Sequence, residues 1–268
     1  MNEILTSLDA GVAHIRFNRS DKANALNASM WQGLRQAMQW LDETPAARVG
    51  ILSAAGTHFS AGIDLQMLGE LRSDTADPCA GRSGEKLRRS ILDIQDTVTA
   101  IERCRKPVIA AIHGACIGGG IDIVTACDMR YCSASAGFSV KEIDVGLVAD
   151  VGTLQRLPRL IGEGKARELA YTGARLPGSE AERIGLVNRC YETNEDLTAG
   201  VEEVARLIAA KSPLSIRGTK EMITYVRDHS VSDGLNYVAT WNAAMLFSED
   251  LDEALLSFRE SRGAVFRD

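Results

Sequence analysis

Two glycine-rich segments, each following a run of apolar residues, offer the groups most suited to chemistry. The first is Phe-Ser-Ala-Gly-Ile-Asp-Leu at residues 59–65, and the second is Gly-Ala-Cys-Ile-Gly-Gly-Gly-Ile-Asp at residues 114–122. Glycine lets the backbone approach a ligand closely, and a helix N-terminus leaves N–H groups free. Two such turns could each donate one N–H to the same oxygen, which is the composition of an oxyanion hole. The spacing fits two tight β-to-α connections equally well, so both interpretations stay open at this point.

The second glycine segment does not match the common phosphate-binding motifs. It lacks the Gly-Lys-Ser/Thr of a P-loop, and residues 118–123 lack the last glycine of a dinucleotide fingerprint. It does fit a Gly-x-nucleophile-x-Gly elbow with Cys116 as the nucleophile. Such an enzyme also needs a base, and the only histidine further along the chain is His229, in a polar setting typical of solvent exposure. A Cys116-dependent hydrolase is therefore a distant alternative.

The elements that must position these segments alternate between strand and helix patterns. Apolar runs predict strands at residues 12–17, 48–53 and 108–112. Helical spacing predicts a helix over residues 29–41, capped by Asn27 or Ser29, and a second helix before Pro107. The apolar stripe of that second helix is Ile91, Ile94, Val98 and Ile101. The alternation indicates an α/β fold.

The remaining organisation is read from local composition. Residues 69–84 are rich in Gly, Ser, Asp and Pro, which predicts a mobile surface loop near the binding site. From residue 198 onward the apolar spacing is helical. We therefore expect a core domain over residues 1–197 and a C-terminal helical lobe over residues 198–268.

Composition narrows the class of protein. The 268 residues carry 30 Lys and Arg against 36 Asp and Glu, without a concentrated basic surface, which argues against nucleic-acid binding. No apolar stretch approaches the roughly 20 residues of a membrane span. Six scattered cysteines without a CxxC pair indicate reduced thiols rather than disulfides or metal ligands. No targeting segment is recognisable at either end, so a cytoplasmic location is expected.

Three segments resemble the enoyl-CoA hydratase/isomerase (crotonase) superfamily in their order and spacing. They are residues 59–65, the Lys-Pro-Val-Ile-Ala-Ala-Ile-His-Gly-Ala-Cys-Ile-Gly-Gly-Gly run at 106–120, and Thr-Leu-Gln-Arg-Leu at 153–157. The likeness extends from Ala-Asn-Ala-Leu at 23–26 to the helical tail. It implies a crotonase-like β-β-α superhelix with a C-terminal helical oligomerisation lobe, assembled as trimers or as dimers of trimers. It also implies an acyl-CoA thioester substrate, with CoA as part of the substrate, no separate cofactor and no metal.

Within this superfamily, residues 141–158 resemble the dienoyl-CoA isomerases, and three acids carry that resemblance. Asp122 stands where hydratases have their first catalytic Glu, and Glu142 matches the second. Asp150 occupies a position that is usually Gly in hydratases and Asp in dienoyl-CoA isomerases. Each acid alone has a structural explanation, such as a helix N-terminus for Asp122 or a cap for Asp150. The three acids together with two glycine turns favour catalysis.

The resemblance also assigns the binding groups. It implies that the N–H groups of Ile63 and Gly119 hold the thioester oxygen and that the three acids line the acyl pocket. Adenine and pantetheine would be held largely by main-chain contacts in the loop at residues 22–25 and after the first glycine turn. The residues so implied are Ala23, Ala25, Ala61, Asp64 and Leu65.

The implied reaction moves a 3,5-dienoyl thioester to its 2,4-isomer through a dienolate. A proton leaves C2 and another is delivered to C6, so two separated carboxyl groups are required. We assign Glu142 to C2, Asp150 to C6 and Asp122 to orienting the diene, while the reverse assignment of base and acid stays open. An enoyl-CoA hydratase is the main alternative, although water addition normally uses two Glu residues and a small residue at the third place. A non-catalytic CoA-binding module would be expected to lose these acids.

Overall fold

The computed structural model describes residues 3–268, and its elements alternate as the sequence predicts. The strands are β1 (Ile4–Asp9), β2 (Val12–Phe17), β3 (Val49–Ala54), β4 (Val108–Ile112), β5 (Ala115–Ile117), β6 (Met129–Ser133), β7 (Gly137–Ser139), β8 (Leu176–Pro177) and β9 (Arg189–Tyr191). The first helices are α1 (Ala28–Glu43), α2 (Leu65–Asp74), α3 (Ala80–Arg103), α4 (Gly119–Ala126), α5 (Thr153–Ile161) and α6 (Glu163–Thr172). The later helices are α7 (Gly178–Arg183), α8 (Asn194–Ala209), α9 (Pro213–Tyr225), α10 (Val231–Met245) and α11 (Glu249–Glu260).

Two sheets form the frame. The larger sheet has the order β1-β2-β3-β4-β6-β9, antiparallel between β1 and β2 and parallel elsewhere. The smaller sheet has the order β5-β7-β8. The predicted α/β class is confirmed, as are the strands β2, β3 and β4. Strand β1 was not predicted, because only Ile4 among its residues is buried and the expected alternation is missing.

The larger sheet is covered on both faces, which explains why β3 and β4 read as continuous apolar runs. Ala13, Leu52 and Ala110 pack into the main core with α1, while Val49 and Ile109 face the opposite side. On that side they pack against α8 through Leu197, Val201 and Ala205. The domain boundary predicted at residue 198 falls inside α8. The division into two domains stays a prediction.

Helix α1 begins as predicted. The Asn27 side chain accepts a hydrogen bond from the Met30 N–H at 2.8 Å, which satisfies one of the free donors of the first turn. The helix buries Met30, Leu34, Met38 and Leu41 against the sheet.

The prediction of a loop over residues 69–84 is wrong, because most of that segment is helical. Helix α2 begins after Asp64, whose carboxylate accepts from the Gln66 N–H at 3.0 Å, and only residues 75–79 separate α2 from α3. Leu65, Leu68 and Leu71 recur every three residues, so they share one face and line a cavity. Ser73 and Asp74, two of the polar residues that suggested a loop, are exposed at the end of this helix.

Helix α9 is attached to the core by a buried ion pair. The Lys220 side chain, 7% exposed, donates to the Asp128 carboxylate at 2.8 Å and to the carbonyls of Ile101 and Lys106 at 3.2 and 3.1 Å. Asp128 also accepts from the N–H of Val108 at 2.7 Å. This cluster joins α9 to the end of α3 and the start of β4.

We predict that Lys220→Met lowers the free energy of unfolding by about 3 kcal/mol, because it leaves the Asp128 carboxylate and two carbonyls without their cation. The measurement is urea unfolding followed by circular dichroism. Lys211→Met, which changes an exposed lysine nearby, serves as the control and should stay close to the parent protein. Equal midpoints for the two variants would contradict the structural role of Lys220.

Candidate active site

The two glycine turns lie side by side. The Ser60 N–H donates to the Ala115 carbonyl at 2.9 Å, and the Ile117 N–H donates to the Ser60 carbonyl at 3.0 Å. Gly62 has a φ of +90°, and a Cβ there would lie 2.9 Å from the Ile117 carbonyl oxygen. Only glycine allows this close approach. Segments that are far apart in the sequence are thereby held together at the ends of β3 and β4.

Contact between the turns brings two free N–H groups to one site. Gly119 is the first residue of α4 and therefore has no intrahelical acceptor. Among residues 3–268, no acceptor is found for the N–H of Gly119 or of Ile63. Both residues line the same cavity. This is the arrangement that an oxyanion hole requires, and the assigned role of the two residues stays a prediction.

A cavity of about 570 Å³ opens in front of these donors. It is lined by all three acids singled out from the sequence, Asp122, Glu142 and Asp150. Its apolar wall comes from α2 and α3 and consists of Leu65, Leu68, Leu71, Leu87, Ile91 and Ile94. The structure thus combines an apolar chamber, three carboxyl groups and two free backbone donors.

Asp122 is the most deeply placed of the three acids. The residue is 1% exposed, and its carboxylate accepts the Thr153 N–H at 2.6 Å, at the first residue of α5. Burial raises the pKa of Asp122 to about 7; hydrogen bonding from Thr153 opposes this rise, and the charges of Glu142 and Asp150 add to it. Asp122 therefore changes its protonation state near neutral pH.

Glu142 lies in a 3-10 turn, Glu142–Val145, that follows strand β7 of the smaller sheet. A Cβ on Gly118 would lie 3.1 Å from the Glu142 Oε1, so the carboxyl sits against the second glycine turn. Its buried Oε2 has no hydrogen-bond partner among the described residues. Burial raises the pKa of Glu142, and the nearby Asp150 raises it further. A carboxylate with few donors and a raised pKa is suited to accepting a proton.

Asp150 lies in the irregular segment between that turn and α5. The residue is exposed to solvent, yet partial desolvation of its carboxyl raises its pKa. A raised pKa keeps more of the acid protonated near neutral pH, as a proton donor requires.

The residues assigned to CoA divide into two groups. Ala61 and Leu65 line the cavity, whereas Ala23, Ala25 and Asp64 are not among its lining residues. The Asp64 carboxylate pairs with Arg19 at 2.7 Å, and Arg19 donates to the Ala25 carbonyl at 2.8 Å. Asp64 is therefore engaged in shaping the loop, in addition to capping α2. The CoA-binding role of all five residues stays a prediction.

Cys116 is poorly suited to act as a nucleophile. It is fully buried, and burial raises the pKa of its thiol well above the usual value. The ring of His229 stacks on Tyr225 with centroids 3.7 Å apart, among the C-terminal helices. The Cys116 thiol therefore resists ionisation, although its sequence fits the nucleophile elbow.

Comparison with known proteins agrees with this geometry. The profile of the enoyl-CoA hydratase/isomerase family matches residues 7–268, and the chain belongs to that family. Within the family it is 50% identical over 253 residues to the peroxisomal Delta(3,5)-Delta(2,4)-dienoyl-CoA isomerase of Arabidopsis thaliana, covering 94% of this chain and 91% of that protein.

A human mitochondrial protein of the same name is 44% identical over 260 residues, covering 96% of this chain and 79% of the relative. Among solved structures, an enoyl-CoA hydratase from Bacillus anthracis superposes with a TM-score of 0.89 at 31% identity, covering 99% of both chains. The crotonase-like fold is confirmed.

The predicted cytoplasmic location is wrong, since these two isomerases are named as peroxisomal and mitochondrial. Scattered unpaired cysteines supported the prediction, but buried thiols report the absence of disulfides rather than a compartment. Separately, no helix in the described part of the chain is both long and apolar enough to cross a membrane.

Three features of the site were missed from the sequence. Trp31, a buried residue of α1, lines the cavity and was not among the predicted site residues. The wall formed by α2 was hidden by the polar composition of its segment. Gln95 donates to the Asp150 carbonyl at 2.6 Å, and it lies on the polar side of α3, where sequence alone gives no signal.

We predict that Asp122→Asn stabilises the protein at pH 8 by a value on the order of 2–4 kcal/mol. The folded protein holds the Asp122 proton up to about pH 7, whereas the unfolded chain releases it near pH 4. The parent therefore loses stability as pH rises through that window, while the amide keeps the Thr153 hydrogen bond without titrating.

The measurement is chemical unfolding of parent and variant from pH 4 to pH 8, where the difference should vanish at the acidic end. Asp74→Asn, at an exposed position, is the control and should follow the parent throughout. A stability difference that does not depend on pH would contradict the raised pKa of Asp122.

Proposed function

We propose that this protein is a Δ3,5-Δ2,4-dienoyl-CoA isomerase that acts in the oxidation of unsaturated fatty acids. The observation that carries the proposal is the meeting of three carboxyl groups with two free N–H donors in one apolar cavity. The relatives of that name support it. The family resemblance supports it too, since it implies that Asp150 stands where hydratases usually have glycine.

The thioester oxygen binds to the N–H groups of Ile63 and Gly119. When the C2 proton leaves, negative charge spreads over the dienolate and collects on this oxygen. Fixed donors in a site with little water stabilise that charge, and loss of one such donor costs roughly 10²–10³ in rate in known cases. The apolar wall holds the acyl chain.

Glu142 removes the proton from C2, and Asp150 delivers a proton to C6. Each such group typically supplies about 10²–10⁴ in rate. No donor among the described residues hydrogen bonds to the Oε2 of Glu142, so this oxygen is free to accept a proton. The raised pKa of Glu142 also makes it a stronger base. The raised pKa of Asp150 favours its protonated form, which is the form that donates a proton. Asp122, held by α5, orients and polarises the diene between them.

The reaction is an isomerisation, so the product has the same atoms and the same oxidation state as the substrate. No oxidant, reductant or added water is therefore needed, and we propose that the enzyme uses no cofactor and no metal. CoA enters as part of the substrate and is held by the loop at residues 22–25 with Ala61, Asp64 and Leu65.

Two substrates separate this activity from hydration. A 3,5-dienoyl-CoA should give a product with the absorbance of a conjugated dienoyl thioester, whereas a 2-enoyl-CoA should be hydrated slowly or not at all. Rapid hydration without conversion of the dienoyl substrate would overturn the proposal in favour of a hydratase.

We predict that turnover in D₂O places deuterium at C6 of the 2,4-dienoyl product, because different carboxyl groups serve C2 and C6. Asp150→Asn should lower isomerisation by about 10²–10⁴, as expected for loss of an acid–base group, with CoA-ester binding retained. Glu142→Gln should abolish exchange at C2. Product is analysed by mass spectrometry and NMR, and binding by calorimetry.

The control is Asp74→Asn, an exposed acid that does not line the cavity, and this variant should keep the parent rate. Mainly unlabelled C6, or undiminished C2 exchange in Glu142→Gln, would exclude this two-acid assignment even if the isomerase activity is found.

We further propose that the chain assembles as a homotrimer or a dimer of trimers. Val231, Phe247 and Phe258, on or beside α10 and α11, are 78%, 92% and 83% exposed. Large apolar side chains exposed this fully mark an interaction surface.

Light scattering after gel filtration should give three or six times the chain mass of 28.9 kDa. Phe258→Ser should shift the mass downward. A parent protein that runs as a monomer at micromolar concentration would contradict the assembly.

A further inference from the structure

A second cavity adjoins the site, on the other side of Asp150. It has a volume of about 650 Å³, and Asp150 and Val151 line both cavities. Its wall on α3 is polar and consists of Gln95, Thr99 and Glu102, which recur at intervals of four and three residues and so share one helix face. The apolar side of the same helix lines the first cavity.

Few contacts fix the position of the Asp150 carboxyl group. Residues 146–152 contain no helix or strand, and Val148 is 75% exposed. Within residues 3–268, no other residue hydrogen bonds to this carboxyl, whose donor is its own backbone N–H. Its position must therefore be set through the main chain.

Helix α3 provides that main-chain support. The Gln95 Nε2 donates to the Asp150 carbonyl at 2.6 Å. One residue further, Arg156 donates to the Val151 carbonyl at 3.4 Å, and Arg156 is itself paired with Glu102 at 2.6 Å. The Gln95 hydrogen bond is shorter than the Arg156 hydrogen bond, so Gln95 is the closer link between α3 and residues 146–152.

We propose that Gln95 is a positioning residue that holds Asp150 in reach of C6 through its backbone carbonyl. The inference rests on the proposed isomerase function and on the role of Asp150 in it. Misplacement of an acid by about 1 Å can cost on the order of 10²-fold in rate.

Loss of this hydrogen bond should affect one proton transfer and spare the other. Glu142 lies in a 3-10 turn closed by its own bonds, including Leu147 N–H to the Glu142 carbonyl at 3.0 Å. The base at C2 therefore keeps its place when Gln95 is changed. The dienolate would still form, but it would more often take its proton back at C2 than receive one at C6.

The test compares Gln95→Met, which keeps the length of the side chain and removes the donor, with the parent protein. Gln155→Met is the matched control, since Gln155 lines the same second cavity and makes no hydrogen bond to Asp150 within residues 3–268. Deuterium exchange at C2 of recovered 3,5-dienoyl-CoA and formation of 2,4-dienoyl-CoA are measured in the same D₂O reactions.

For Gln95→Met we expect kcat to fall by about 10- to 100-fold with KM nearly unchanged, and the ratio of C2 exchange to product to rise by at least tenfold. Gln155→Met should keep the parent ratio. Gln95→Glu, which also lacks the N–H donor but retains a polar group, should repeat the result if the Met variant is poorly folded.

A kcat within twofold of the parent in a folded variant would overturn the inference, as would an equal fall in exchange and product, which is the sign of a general loss of structure. A parent protein that does not convert the dienoyl substrate would overturn the proposed function, and the role of Gln95 would be overturned with it. An active parent with an equally active Gln95→Met variant would overturn only the role of Gln95.

Discussion

Three carboxyl groups that line one cavity repel each other when they are ionised, and this cost is greatest for the buried one. The deepest of them, Asp122, has its pKa raised to about 7 by burial and by its two neighbours. The N-terminus of α5 partly compensates through the Thr153 N–H. Glu142 and Asp150 lie closer to solvent, where raised pKa values suit proton transfer. The cavity thus holds charge that a purely structural core would exclude, as expected where stability is exchanged for activity.

Helix α3 serves two chambers at once. One side, with Leu87, Ile91 and Ile94, completes the apolar wall of the first cavity. The other side presents Gln95 and Glu102 to the segment that carries Asp150. The same helix therefore shapes the apolar cavity and contacts the main chain of Asp150.

The frame is shared with relatives that do different chemistry. The Bacillus anthracis enoyl-CoA hydratase superposes with a TM-score of 0.89 although only 31% of residues are identical. In this chain the strands hold the two glycine turns together, and the N–H groups of Ile63 and Gly119 line one cavity. A shared fold does not fix the reaction, which depends on the side chains placed in the site. In this chain those side chains include Asp122, Glu142 and Asp150.

The sequence by itself determined the α/β class, the strands β2, β3 and β4, the cap of α1 and the two glycine turns, because these depend on neighbours a few residues away. The family resemblance singled out the three acids, of which Glu142 and Asp150 lie within residues 141–158. Only the tertiary structure decided the rest. It showed that most of residues 69–84 are helical, where local composition had predicted a loop. Leu71 in this segment lines the cavity together with Leu65 and Leu68, which precede it on the same helix. The tertiary structure also enclosed Cys116, paired Asp64 with Arg19 and joined Gln95 to Asp150 across 55 positions of sequence. Burial and contacts between distant residues set these outcomes, and neither can be read from local pattern.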